Sequence, residues 1–342
     1  MITCAIAISC ALSLSPIWTP LIVGEELDGW TIVNGDKSTW TIKDDTIICS
    51  GKPTGVIRTN KVYENFILEL DWRHMEANGN AGLFVWSDSY PAIGVPFTKS
   101  IEIQVMDGKE LDWYTTHGDI FSIWGATMTP DIPHPKGIER CLPSERRSKP
   151  SPEWNHYTVT CIDGTIKLAV NGAIVSGAHD VMPRKGYICL ESEGTEAHFK
   201  NINIIELPPS SPITEEIENF YIGFTTLFTG INFQGWIVNS TTRNHWTVGD
   251  NVLTTNGEGG ALKTVMGYED FEFVVDYRCK DESSKPYIIL NDVKTMLYTD
   301  NPGKWNREVI SRVSGTVNNG QISIGSDAGS VDFCNIFIRT PK

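Results

Sequence analysis

Three stretches of this chain occur twice. LIVGEELDGWTIVNGDKSTWTI matches LFTGINFQGWIVNSTTRNHWTV, placing Gly24 with Gly230, Trp30 with Trp236 and Trp40 with Trp246 at an offset of 206 residues. YENFILELDWR matches YEDFEFVVDYR at an offset of 205, pairing Tyr63, Phe66, Asp71 and Arg73 with Tyr268, Phe271, Asp276 and Arg278. GYICLESEGTEAHFKNINI matches GQISIGSDAGSVDFCNIFI at 134, pairing Gly186, Phe199 and Asn201 with Gly320, Phe333 and Asn335. Self-similarity on this scale means one folding plan used twice. The 342 residues are therefore expected to form two tandem domains. The join falls in LPPSSPITEEIEN, whose prolines, serines and acids favour an extended linker over packing. The expected boundaries are 16–207 and 220–342, with a linker at 208–219.

The falling offset shows what the second copy has lost. Arg73 and Trp154 are 81 residues apart, whereas Arg278 and the matching Trp305 are 27 apart, so 54 residues are missing. They include KSIEIQVMDG and THGDIFSIWGATM. A segment the fold can lose is not needed for its core, which makes it the first place to look for function.

Both copies read as all-β. Short runs rich in Val, Ile, Thr, Tyr and Phe are separated by turn residues. FILELDWRH alternates, with Leu68, Leu70 and Trp72 on one face and Ile67, Glu69, Asp71 and Arg73 on the other, the period of a half-buried strand. In GYICLESEG, Ile188 and Leu190 oppose Cys189, Glu191 and Glu193. Asp163-Gly164 and Asn171-Gly172 are hairpin turns by type. The four repeated tryptophans are assigned to packing, and the one helix expected is a short piece near Ile217 to Tyr221.

The net charge is −14, from 28 basic and 42 acidic residues, with no basic stripe to neutralise phosphate, so a nucleic-acid partner is excluded. MITCAIAISCALSLS, residues 1–15, has the apolar run and small-residue end of a signal peptide, which implies a periplasmic or secreted protein. No later run is long and apolar enough to span a membrane. The six cysteines beyond that segment are scattered and lack metal-ligand spacing.

The motifs LDGW, WR followed by GNAG (Trp72, Arg73, Gly79 to Gly82), IEIQ (Ile101 to Gln104), HGDIF, PEWNHY (Pro152 to Tyr157), VNG (Val170 to Gly172) and LESEG with FKNINI occur in order. Together they resemble the DUF1080 family, the 3-keto-disaccharide hydrolase domain, over about Pro20 to Leu207, with a shortened copy from about Phe224. The resemblance implies a concanavalin A-like jelly-roll sandwich acting on sugars oxidised to a ketone at C3. Two departures stand out: Asn80-Ala81-Gly82 where the family often has Asn-Ser-Gly, and Glu191 where it often has Gln.

A C3 ketone acidifies the C2 proton, so cleavage by elimination needs a base, an electrophile for the enediolate and an acid for the leaving group. Glu102 and Gln104 sit at alternate positions of one strand and can meet one ring from the same side. Glu102 is the candidate base or metal ligand, and Gln104 a hydroxyl partner. His117 and Asp119 are candidate proton carriers or metal ligands. Arg73 either stabilises the enediolate or forms a structural bridge with Asp71. Asn80, Glu191 and Glu193 are candidate substrate contacts carried by the family motifs, and Trp124 is either a stacking platform or a packing residue. No metal is specified, since carboxylates and His would suit Ca²⁺, Mn²⁺ or neither. The competing readings are a non-catalytic carbohydrate-binding module and an adhesion scaffold.

Overall fold

The computed structural model describes residues 17–107, 111, 113–210, 223–290, 292–299, 301–312 and 320–340. The signal-like segment, most of the linker and the helix expected near Ile217 lie outside the described residues.

The first half is a concanavalin A-like jelly-roll sandwich of a nine-stranded and a seven-stranded antiparallel sheet, and the chain alternates between them. Strand Phe66–His74 lies central in the nine-stranded sheet, between Asn155–Ile162 and Ala197–Glu206. Its alternation is as the sequence predicts: Phe66, Leu68, Leu70 and Trp72 are buried in the core. The seven-stranded sheet runs Trp30–Ile32, Gly55–Thr59, Tyr187–Ser192, Gly79–Ser87, Ser100–Asp107, Ile120–Ile123 and Arg140–Cys141. Its inner face supplies Leu83, Val85, Ile101, Ile103, Val105, Ile188 and Leu190 to the same core. Burial of such side chains, about 1.5–3 kcal/mol each, is what holds two half-apolar sheets together.

The second half repeats this with six and five strands and its own core of Trp236, Trp246, Phe271, Phe273 and Phe333. The repeated tryptophans are buried in both halves. Trp30 Nε1 donates to Leu21 O at 2.7 Å, and Trp236 Nε1 to Leu227 O at 2.9 Å, so even the polar handle of the indole is kept.

Two features of the second half were not expected from the sequence. Its described residues include a short helix, Ser240–His245, started by Asn239, whose side chain accepts from Thr242 N while Thr242 Oγ1 accepts from Asn239 N. This capping box offsets the low helix propensity of Ser and Thr. The second half also does not lack a counterpart to Ser100–Asp107. Strand Val293–Met296 takes that place beside Pro286–Leu290. The register puts Lys294 where Glu102 lies, Met296 where Gln104 lies and Tyr287 where Gly82 lies. Lys294 Nζ bonds Asp327 at 2.5 Å and stands 3.7 Å from the Tyr287 ring centroid, so the space over this strand is filled by side chains. The deletion removed the outer strands and shortened this one to four residues, too few to reveal itself by similarity.

Candidate functional site

Ser100–Asp107 pairs with Gly79–Ser87 on one edge and Ile120–Ile123 on the other. The strand period that buries Ile101, Ile103 and Val105 turns Glu102 and Gln104 to the outer face of the sheet. Tyr187–Ser192 contributes Glu191 to that face, with Glu193 just beyond the strand end. These groups border a cavity of about 420 Å³ that Asn80, Arg140, Trp113 and Trp124 help to wall. Glu102, Gln104 and Glu191 remain only 6%, 5% and 2% exposed.

A chain of directed hydrogen bonds crosses the floor. Arg140 can only donate, so its Nη1 gives to Asp119 Oδ2 at 2.9 Å and Gln104 Oε1 at 3.3 Å. Gln104 Nε2 must then donate onward, to Asn80 Oδ1 at 2.9 Å, and Asn80 Nδ2 donates to Glu193. The guanidinium at one end and the carboxylate at the other fix both amide orientations. Asp119 is itself held by Thr115, whose backbone N donates to Oδ2 at 2.9 Å. Arg140 lies against the Phe121 ring, 3.6 Å from its centroid, and its cation is thereby anchored in place.

Gly82 lets the carboxyl groups meet. A Cβ there would sit 2.9 Å from both Glu102 Oε1 and Glu191 Oε2, and 2.7 Å from the Phe84 ring. Glu191 Oε2 is buried without a hydrogen-bond partner. Burial and the Glu193 charge push Glu102 up to about 8, against the pull of Arg140. Burial, then Glu102 and Glu193, hold Glu191 well above the carboxylate range. Glu193 is raised by burial and by Asp250 of the second half. Close carboxyl groups in a dry site cannot all ionise together, so at neutral pH the cluster retains protons.

Trp124 and Gly125 both have positive φ, +53° and +99°, and Ala126 N donates to Ile123 O across them at 3.2 Å. A bulky residue rarely adopts this backbone. Here it holds the indole half exposed at the cavity rim.

The structure thus brings Glu102, Gln104, Asn80, Glu191, Glu193 and Trp124 together. The other three candidates lie elsewhere. Asp119 is fully buried behind Arg140 and positions that cation without lining the cavity. His117 sits in the turn before it, its backbone N donating to Thr115 Oγ1 at 3.2 Å, and is not a lining residue. Arg73 belongs to the other sheet, where it stacks on Trp154 at 4.5 Å and contacts His198 Nδ1. It does not bridge Asp71, which is bound by His156 and Asn201. Arg140, Trp113 and Phe121 were not foreseen as site residues. All three fall in the 54-residue segment absent from the second half, which is the signal that could have found them. Among the described residues no group of three or more His, Cys, Asp or Glu is arranged to hold a metal ion, and no helix is long and apolar enough to cross a membrane.

The fold and site define a class of antiparallel sandwich domains with a polar, aromatic-walled cleft on the outer face of one sheet. Within it, the chain belongs to the 3-keto-alpha-glucoside-1,2-lyase-like domain family, whose sequence profile matches residues 17–205. Similar solved structures include a candidate glycosyl hydrolase from Parabacteroides distasonis, 24% identical with a TM-score of 0.44, the match covering 56% of this chain and 94% of that one. Another is the carbohydrate-binding module CBM66 from Bacillus subtilis, 17% identical with a TM-score of 0.37, covering 52% of this chain and 96% of that one. No curated protein sequence matches the chain.

Proposed function

We infer that the first half cleaves 3-keto-glycosides by proton abstraction at C2 and elimination at C1, in an exported protein. The observation that carries this is the carboxyl cluster of buried Glu102 and Glu191 with half-buried Glu193, facing one cavity beside a fixed Arg140. A binding surface has no need of carboxyl groups tuned toward neutrality, whereas acid–base chemistry does.

The two facing carboxyl groups divide the roles of base and acid in this reading. Glu102, in its ionised form, takes the C2 proton. The C–H electron pair forms the C2–C3 double bond and the carbonyl pair moves to O3. Arg140 borders the cavity, and its permanent charge offsets the charge collecting on O3. Glu191, still protonated, gives its proton to O1 as the C1–O1 bond breaks and the enolate collapses to a 1,2-unsaturated ketone. When water adds, its hydroxide joins C1, its proton restores Glu191, and Glu102 returns the abstracted proton to C2. Gln104 and Asn80, with orientations set by the chain from Arg140, hold ring hydroxyls, and Trp124 offers its face to the C–H side of the sugar.

The alternative, a non-catalytic sugar-binding module, draws support from the two half-exposed indoles of Trp113 and Trp124 at the cavity. The readings separate on whether a 3-keto-glucoside is turned over by the wild type and only bound by Glu102→Gln.

A further inference from the structure

The second half has filled its own copy of the site, yet it keeps an Asp and an Asn on the outer face of its larger sheet at the positions of Asp71 and Asn201, with Arg307 in place of His156. In the first half His156 and Asn201 both bond Asp71 at the surface. In the second, Asp276, Arg307 and Asn335 grip a loop of the first half. Arg307 Nη2 donates to Pro91 O at 2.9 Å, Asn335 Nδ2 to Ala92 O at 3.2 Å and Val95 O at 3.0 Å, and Gly94 N donates to Asp276 Oδ2 at 2.9 Å. The Phe337 ring lies 4.1 Å from that of Tyr90. Gly94, at φ +75°, has Trp305 2.1 Å from where its Cβ would stand, so only glycine fits.

The clamped loop walls a second cavity of about 590 Å³, with Tyr90, Pro91, Ala92 and Ile93 on one side and Asp88 and Lys99 among its polar groups. Trp124 lines both this cavity and the one over Glu102. The two are therefore neighbours across one indole. Each has the size of a small-molecule site, and this one combines an aromatic face, apolar loop atoms and a few charged groups, the mixture that receives a sugar ring.

We propose that the second cavity is the leaving-group subsite, taking a second pyranose ring attached at C1 of the 3-keto ring, and that the second half serves to hold its wall in place. This rests on the function proposed above. The ring that carries the ketone lies over Glu102 and Gln104. Its partner passes Trp124 and rests against Ile93, with Asp88 and Lys99 at its hydroxyls.

The test uses the full chain carrying Glu102→Gln, so that sugars bind without turnover, and compares a 3-keto-glucosyl disaccharide with methyl 3-keto-glucoside by calorimetry. Ile93 is half exposed, so Ile93→Trp fills the cavity without touching the core. It should weaken the disaccharide by about tenfold or more and leave the methyl glucoside within about twofold. Ile93→Ser, which empties the same space, should weaken the disaccharide less than the tryptophan does. Equal effects on both ligands, or no effect on the disaccharide while the methyl glucoside still binds, would overturn the subsite alone. If neither sugar binds before Ile93 is changed, the function proposed above fails and the subsite with it.

Discussion

Glu102 and Glu191 face each other across Gly82, each with a carboxyl oxygen 2.9 Å from the point a Gly82 Cβ would occupy. The meeting depends on a residue with no side chain, and it converts two ordinary acids into a coupled pair whose protons are held toward neutral pH.

Gly82→Ala should therefore damage the site and the fold together. The added methyl meets both carboxyl groups and the Phe84 ring. Overpacking of this kind costs about 1–3 kcal/mol, measurable by denaturant unfolding, and turnover should fall because Glu102 is displaced.

The pair also makes stability depend on pH. Glu102 has its ordinary value, 4.5, in the unfolded chain and about 8 when folded. Between these values the folded state holds a proton that the unfolded state has released, so stability declines as pH rises through that window. Thermal melts from pH 5 to pH 8 should show this slope, and Glu102→Gln should reduce it.

Glu193→Gln tests how Glu102 is tuned. Glu193 is the charged neighbour that raises Glu102, so its neutralisation should move the rising limb of the pH–rate profile below pH 8. Glu191→Gln should lower turnover, because Glu191 is the proton donor in the proposed mechanism. A limb that stays at the same pH in Glu193→Gln would count against Glu102 as the base.

Asp119 and Arg140 form a buried ion pair. Removing one partner of such a pair costs about 3–5 kcal/mol, so Asp119→Ala should destabilise the protein by that order. Asp119→Asn keeps a polar partner and should retain more of the fold while loosening Arg140, which would appear as a loss in kcat greater than in KM.

The local parts of this site were legible in the sequence, and the convergent parts were not. Glu102 and Gln104 share a face because strand period is two, whereas the second half keeps a short counterpart of their strand, so the repeat did not mark that strand as dispensable. Trp30, Trp40, Trp236 and Trp246 were assigned correctly to packing because both copies kept them. Arg140 escaped notice because its role depends on a two-residue strand pairing with Ile120 and Phe121, which no local pattern announces. Asp119 and His117 lie beside each other in sequence, but the turn buries one beneath Arg140 and leaves the other off the cavity. Val293–Met296 was missed because a four-residue strand with Lys294 and Met296 in place of Glu102 and Gln104 keeps none of the chemistry that similarity detects.

The central claim is that Glu102 is the base of an elimination that requires a C3 ketone. The direct measurement is release of the leaving group from a 3-keto-glucoside and from the matching unoxidised glucoside, by the wild type and by Glu102→Gln. The account predicts release from the keto sugar only, reduced about 10²–10⁴-fold in the variant, while the variant still binds the sugar. Cleavage of the unoxidised glucoside at a similar rate, or undiminished turnover in Glu102→Gln, would contradict it.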